Sequence, residues 1–368
     1  MTTVDVDPSQ DASNPLPMRR IDGPDAWVGE ELLGNSRWQF RIEEPQNDAL
    51  WRAVQAARAT HTRWQDISAE SFHIEAAEPL IQRISDELEN GCGLASISGF
   101  DIDRYDDEAL NWLWFGIGCH LGTPLPQDYR GMLMRDITDE RQDTDAMHGH
   151  TLTARDGSAF QSSKARTASN GPLRFHTDRA DIVGLLCMRA AVSGGVSRIA
   201  SSVAVHNCIL ARRPDLARLL YQPYERSRLG EEQGGERATY PLPVFGVRDG
   251  KFSSHFSRTY IEAAQELPDV IRLSDAQWEA LDVLAEVAFE LCMEMTMARG
   301  DMQLINNHVI YHARTAYEDG AEARPGAARR MRRIWVSARN SRALPPDHAV
   351  LWRNTESGAH RGGIAPSV

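Results

Sequence analysis

Two short stretches carry the residues best suited to chemistry. The first, "LRFHTDRAD", places His176 and Asp178 two positions apart. In an extended segment both side chains leave the same face. One imidazole and one carboxylate converging from a rigid element supply two corners of a metal site. The second stretch, "INNHVIYHARTAYED", places His308 and His312 four apart in an apolar, β-branched run. Two histidines and one carboxylate on a single face are a common iron(II) ligand set, with the opposite positions left open. Residues 308 and 312 share a strand face, so parity alone leaves either as the third ligand.

Three further features bear on such a site. "SGGVS" (193–197) is a tight glycine turn that ends in the Ser197 hydroxyl, a donor for a carboxylate. "ARRMRRIWV" carries Arg329 and Arg333, which share a strand face and suit bidentate carboxylate capture. "GDMQLINN" sets a glycine turn before the second histidine stretch. The spacing H-V-I-Y-H also resembles the H-E-x-x-H helix of zinc hydrolases, which would use His308 and His312. Glutamate is absent, however, and Val-Ile-Tyr favours strand. His206 sits where a helix begins, which suits a structural or capping role.

These residues need elements to position them. The spacing predicts helices over 45–66 and 72–90, the latter ending at Gly91, and a third from about Asp107. "GLASISGF" (93–100) reads as a strand and 120–131 as a loop. Residues 137–171, with His148 and His150, form a long polar connection of the kind that serves as a lid. "IVGLLCMRAAV" reads as a strand buried on both faces, and "VFGVRDGKFSSHF" as a hairpin turning at Asp249-Gly250. Residues 274–298 read as an amphipathic helix with a Ser N-cap; "DMQLINNHVIYHA" and "RRIWVSA" read as strands. Helices followed by mostly antiparallel strands predict an α+β chain with a mainly β, jelly-roll-like core and helices outside. One domain is expected over 31–345, between a disordered leader (1–30) and a C-terminal tail (346–368).

The bulk numbers restrict the partners. The chain has 368 residues, 42% hydrophobic and 25% charged, enough for a sizeable core. A net charge of -12 argues against nucleic acid or an anionic membrane as partner. No apolar run reaches the length of a spanning helix. Five scattered cysteines without C-x-x-C spacing suit free thiols in a reducing cytoplasm. A small-molecule substrate is the expected partner, with homo-oligomer formation open.

Taken in order, "FHTD", "SGG-x-S", "GD…NN…H-A-R" and "RR-x-x-R" resemble the taurine dioxygenase and TfdA-like (clavaminate synthase-like) iron(II)/2-oxoglutarate oxygenases, over roughly residues 90 to 340. The resemblance implies a double-stranded β-helix, a distorted jelly roll with flanking helices. It implies His176, Asp178 and His312 as iron ligands, His312 being chosen over His308 because it stands five residues after Asn307. It implies Arg329 and Ser197 at the far carboxylate of 2-oxoglutarate, with Arg333 lining the cosubstrate and substrate region. The 17-residue interval from His312 to Arg329 is longer than in taurine-type members, so Arg330 stands as the alternative to Arg329. Oxygen and 2-oxoglutarate would be consumed to oxidise an unactivated C–H, releasing succinate and carbon dioxide. Hydroxylation, desaturation, cyclisation and epoxidation all share this ligand set. Candidate substrate contacts are Gln127, Asp128, Arg258, Tyr260 and Arg333, with Arg258 and Tyr260 expected on a strand. A competing class is a non-catalytic β-helix protein with a vestigial metal site.

Overall fold

The structure, a computed structural model, describes residues 18–140, 151–153, 159–161, 168–229, 232, 235–319 and 328–366. Two sheets position the site. Their strands in chain order are β1 (Gln39–Arg41), β2 (Leu94–Ser98), β3 (Gly122–Pro124), β4 (Met134–Ile137), β5 (Leu173–His176), β6 (Ile182–Arg189), β7 (Ser197–Ser201), β8 (Met293–Met295), β9 (Met302–Asn306), β10 (Ile310–Arg314) and β11 (Arg330–Ala338). The larger sheet runs β1-β2-β9-β6-β11-β3, and β4 continues along the β11 edge beyond β3. The smaller sheet runs β8-β7-β10-β5. Only β1 and β2 pair in parallel; the other ladders of both sheets are antiparallel.

Side-chain alternation divides the larger sheet into two working faces. Ile182, Leu186, Met302, Leu304, Ile334 and Val336 pack into the core shared with the Glu44–Thr60, Glu78–Asn90 and Asp107–Leu121 helices. Gly184 lets this layer close: a Cβ there would stand 2.7 Å from Leu304 and 2.9 Å from Trp114. The opposite parity gives Val183, Ile305 and Trp335, which share a core with Ile199, Tyr311 and Ala313 of the smaller sheet. That explains the uninterrupted apolar run of β6. It is antiparallel to both neighbours, yet helices cover one face and a sheet the other.

Several elements differ from the sequence expectation. The Asp275–Leu291 helix has the expected Ser274 N-cap, whose Oγ accepts from Gln277 N at 3.2 Å, but it stops before 298. Met293–Met295 instead becomes β8, because β7 offers an edge for its backbone groups. The segment of Arg258 and Tyr260 is a helix, Arg258–Gln265, rather than a strand. Its buried residues Ile261 and Ala264 lie three apart, and Arg258 pairs with Glu262 one turn on at 2.7 Å. The hairpin forms as expected between Phe245–Arg248 and Lys251–Ser254, with Asp249 at φ 52 and Gly250 at φ 78. The 120–131 loop contains β3.

Of the expected leader, residues 1–17 lie outside the described residues; from Met18 the chain is packed. Trp27 is buried and its indole N–H donates to the Cys92 carbonyl at 2.8 Å. Within 137–171, His148 and His150 lie outside the described residues, and Thr151–Thr153 pairs with Ala159–Gln161. The segment after 345 is built into the molecule. Trp352 and Arg361 are buried, and the Arg361 Nε–H donates to Asp181 Oδ1 at 2.7 Å. The five cysteines are free thiols, with Cys92, Cys119 and Cys187 buried. No helix among the described residues is long and apolar enough to cross a membrane.

Buried histidines set the acid limit of this fold. Burial pushes His206 down to about 4 and His348 down to about 3. Below the ordinary histidine value near 6.5 the unfolded chain takes up protons that the folded chain refuses, so stability rises with pH there. The stability is fully present above about pH 6.5 and falls by roughly 1.4 kcal/mol per unit per group on acidification. The thermal midpoint is therefore expected to be flat from pH 7 to 8 and to drop steeply by pH 5. A flat profile down to pH 5 refutes it.

Candidate metal centre

His176 ends β5 and His312 lies directly across from it in β10, the two rings 4.2 Å apart at their centroids. The ladder shifts register just after this pair, between His312 and Arg314. Asp178 stands two residues beyond β5. His176 Nε2 lies 3.9 Å from Asp178 Oδ1, and His312 Nε2 lies 3.9 Å from Asp178 Oδ2. One ligand atom from each of the three falls within 4.8 Å of the others. Among the described residues this is the one such grouping of histidine, cysteine and acidic side chains.

The protonation states suit a divalent cation. His176 Nδ1 donates to the Arg174 carbonyl at 2.8 Å, which leaves Nε2 as the free lone pair. Burial, reinforced by the charge of His176, pushes His312 down to about 3. It is neutral at pH 7, and its buried Nδ1 has no hydrogen-bond partner among the described residues. Burial alone would raise the Asp178 carboxyl. Arg333, His312, His176 and the Trp335 indole N–H outweigh that and hold it below its ordinary value. Two imidazoles beside one carboxylate on a single face match the donor set of non-haem iron(II).

His308 is not part of this group. It lies in the turn between β9 and β10 rather than on a strand, so the parity that paired it with His312 does not apply. Its Nε2 meets Asp181 Oδ1 at 2.7 Å in a buried network with Arg361. The H-V-I-Y-H pair therefore does not form a zinc-hydrolase site. Its neighbour Asn307 faces the metal ligands: Oδ1 accepts from Asp178 N at 2.9 Å, and Nδ2 donates to the Asp178 carbonyl. Asn307 thus fixes the ligand's backbone at both polar groups.

The centre opens on a cavity between the two sheets, with apolar walls and a few polar groups. Val183, Leu185, Ile199, Ile305 and Met331 make apolar walls. Ser197, Gln303, Arg314, Arg329 and Arg333 supply the polar groups. The two adjacent arginines at the start of β11 face opposite ways. Arg329 lines the cavity and is buried, whereas Arg330 turns out to Asp107 at 2.8 Å. Among the described residues Arg329 Nη1 has no hydrogen-bond partner, and its guanidinium stacks 5.0 Å over the Tyr317 ring. Gly195 permits this approach, since a Cβ there would meet Arg329 Nε at 3.0 Å.

Arg333 sits at the metal end. Its Nε donates to Gln127 Oε1 at 2.7 Å and its Nη1 lies 3.5 Å from Asp178 Oδ2. Gln127 is thus the buried brace behind Arg333. Asp128 caps its own loop, accepting from Arg130 N and Met132 N. Arg258 is committed to Glu262 and Asp282, away from the cavity. Tyr260 is half-buried within electrostatic reach of Arg333.

Three contributors were not identified from the sequence: Arg314, Gln303 and Trp335. Arg314 shares the face of His312, two residues on, and donates to the carbonyls of Ser169 and Gly171 at 2.8 and 2.6 Å. Its guanidinium also stacks over the Tyr317 ring, 4.8 Å from the centroid. Burial and the neighbouring Arg329 push it down to about 10. The H-A-R spacing was the available signal. For Gln303 and Trp335 the only signal was strand parity with Ile305 and Arg333.

Comparison with known proteins gives a family and several similar folds. The model of the family described as taurine catabolism dioxygenase TauD, TfdA family matches residues 56–335. The chain is 26% identical over 355 residues to the FR-33289 synthase of Streptomyces rubellomurinus, covering 94% of this chain and 95% of that protein. It is 26% identical over 296 residues to a taurine hydroxylase-like protein of Stachybotrys chartarum, covering 79% and 74%. Among solved structures, asparagine oxygenase in complex with Fe(II), 3-hydroxyasparagine and succinate has a TM-score of 0.60 at 16% identity, covering 88% of this chain and 100% of that one. The non-heme iron oxygenase OrfP with Fe and alpha-ketoglutaric acid has a TM-score of 0.56 at 16% identity, covering 81% and 93%.

Proposed function

The chain belongs to the taurine catabolism dioxygenase TauD, TfdA family, and from that premise we propose that it is an iron(II)- and 2-oxoglutarate-dependent oxygenase acting on a C–H bond of a small molecule. The observation that carries this reading is the convergence of His176, Asp178 and His312 within 4.8 Å, in a cavity that also holds Arg329 and Ser197. His176, Asp178 and His312 would hold the iron. When bound, iron(II) supplies oxygen activation coupled to decarboxylation of 2-oxoglutarate to succinate and carbon dioxide. Arg329 and the Ser197 hydroxyl bind the far carboxylate of the cosubstrate. Ser197 pairs with Arg314 in the ladder, two residues along from the level of His312, or roughly 7 Å. A five-carbon diacid spans that interval. Arg314 adds a second positive charge behind this end.

The apolar walls exclude water and fix the substrate's approach. Arg333, braced by Gln127, stands between the metal ligands and the substrate region. Tyr260 is the remaining candidate contact on that side. Hydroxylation of an amino-acid-like or specialised metabolite is the favoured outcome; the amino-acid products held by asparagine oxygenase and OrfP support that class. Two sheets facing each other across the cavity support a double-stranded β-helix core. The test is anaerobic addition of 2-oxoglutarate to Fe(II)-loaded protein. A weak visible charge-transfer band is expected, and succinate on admission of oxygen with amino-acid candidates. Neither a band nor succinate refutes the proposal.

A further inference from the structure

Asp178 is held at four points, and they divide its two oxygens. Asn307 takes its backbone N–H and carbonyl. The Trp335 Nε1–H donates to Oδ2 at 3.1 Å, and Arg333 Nη1 approaches the same oxygen at 3.5 Å. Among the described residues no donor is directed at Oδ1, which lies toward His176 Nε2. The clamp is itself rigid. Trp335 is buried, on the same face of β11 as Arg333, whose guanidinium stacks 4.8 Å over the indole. Gln127 fixes that guanidinium and donates to the Arg333 carbonyl at 3.0 Å.

We infer that Trp335 is a positioning residue that makes Asp178 a one-oxygen ligand, reserving Oδ2 for its indole N–H and presenting Oδ1 to the metal. The inference rests on the reading of His176, Asp178 and His312 as the iron site. Its consequence concerns open coordination positions. A carboxylate free to rotate can bind through both oxygens and occupy a place on the open face. A carboxylate locked by Trp335 takes one, and the positions opposite the triad stay free. Groups that orient a ligand in this way change metal affinity about 10–100-fold when removed.

Trp335→Phe deletes the N–H while keeping an aromatic ring against Arg333. The readouts are Fe(II) affinity of the apo-protein under anaerobic conditions, the charge-transfer band with 2-oxoglutarate, and the thermal midpoint of the metal-free protein. The expected result is a 10–100-fold loss of Fe(II) affinity and a shifted band, with a metal-free midpoint close to that of the parent. Unchanged affinity and an unchanged band overturn the inference. Should Trp335→Phe fail to fold, 3-benzothienylalanine at position 335 keeps the bicyclic shape and replaces N–H with sulfur, and the same two outcomes decide. The parent protein is measured first: absence of a band there counts against the iron reading itself, whereas a band that only the variant alters bears on Trp335.

Discussion

Replacing His312 with alanine is expected to abolish Fe(II) binding and oxygenase turnover, whereas replacing His308 is expected to leave iron binding and lower stability. Loss of an orienting group already costs about 10–100-fold in metal affinity, so loss of a ligand costs at least the upper end of that range. His312 brings a neutral Nε2 to within 3.9 Å of Asp178. Its removal also takes away one of the groups beside the buried Asp178 charge, leaving Arg333, His176 and Trp335. His308→Ala acts elsewhere. It strips a hydrogen bond from Asp181 and opens a void beside Trp352, whose ring centroid lies 4.8 Å from the imidazole. A lost buried partner and a partial cavity together cost about 2–4 kcal/mol. Arg361 and the Ala338 N–H still bind Asp181, which limits the damage to stability. Equilibrium Fe(II) titration and thermal unfolding of both variants check this. Iron binding kept in His312→Ala and lost in His308→Ala would reverse the assignment.

The second large effect is at the other end of the cavity. Arg329→Ala is expected to weaken 2-oxoglutarate binding about 100-fold, equal to about 3 kcal/mol, while Arg330→Ala leaves it near the parent value. Removing one member of a buried, hydrogen-bonded charge pair costs about 2–5 kcal/mol, because the other charge stays desolvated. Arg329 is buried, and among the described residues its Nη1 has no hydrogen-bond partner and no carboxylate hydrogen-bonds its guanidinium. Arg330 already spends its charge on Asp107 at the surface. Arg329→Lys restores the charge without the planar fork and is expected to recover only part of the loss. The check is calorimetric titration of 2-oxoglutarate into anaerobic metal-loaded protein. Equal affinities for Arg329→Ala and the parent would exclude the role.

Much of this site was legible because ligand spacing and strand parity are local properties. H-x-D puts two donors on one side of an extended segment wherever that segment ends up. Parity also placed 329, 331 and 333 on one face, and all three line the cavity. Apolar runs and caps located most helices and strands, since burial and backbone satisfaction act over a few residues. The same locality explains the errors. Residues 293–295 and 258–265 were misread because a sheet edge decided the first and packing of Ile261 and Ala264 the second.

What the sequence by itself determined is the inventory: two imidazoles, one carboxylate, paired arginines and the order in which they occur. Only the tertiary structure decided which of them meet. The turn between β9 and β10 separated His308 from His312 by sending one to Asp181 and the other to Asp178. The ladder of β10 with β5 brought residue 312 opposite residue 176. The chain after 345, expected to be a C-terminal tail, returned to bind Asp181 three residues from Asp178. Such pairings depend on contacts between residues more than a hundred positions apart, and no local pattern encodes which distant partner a buried polar group will find.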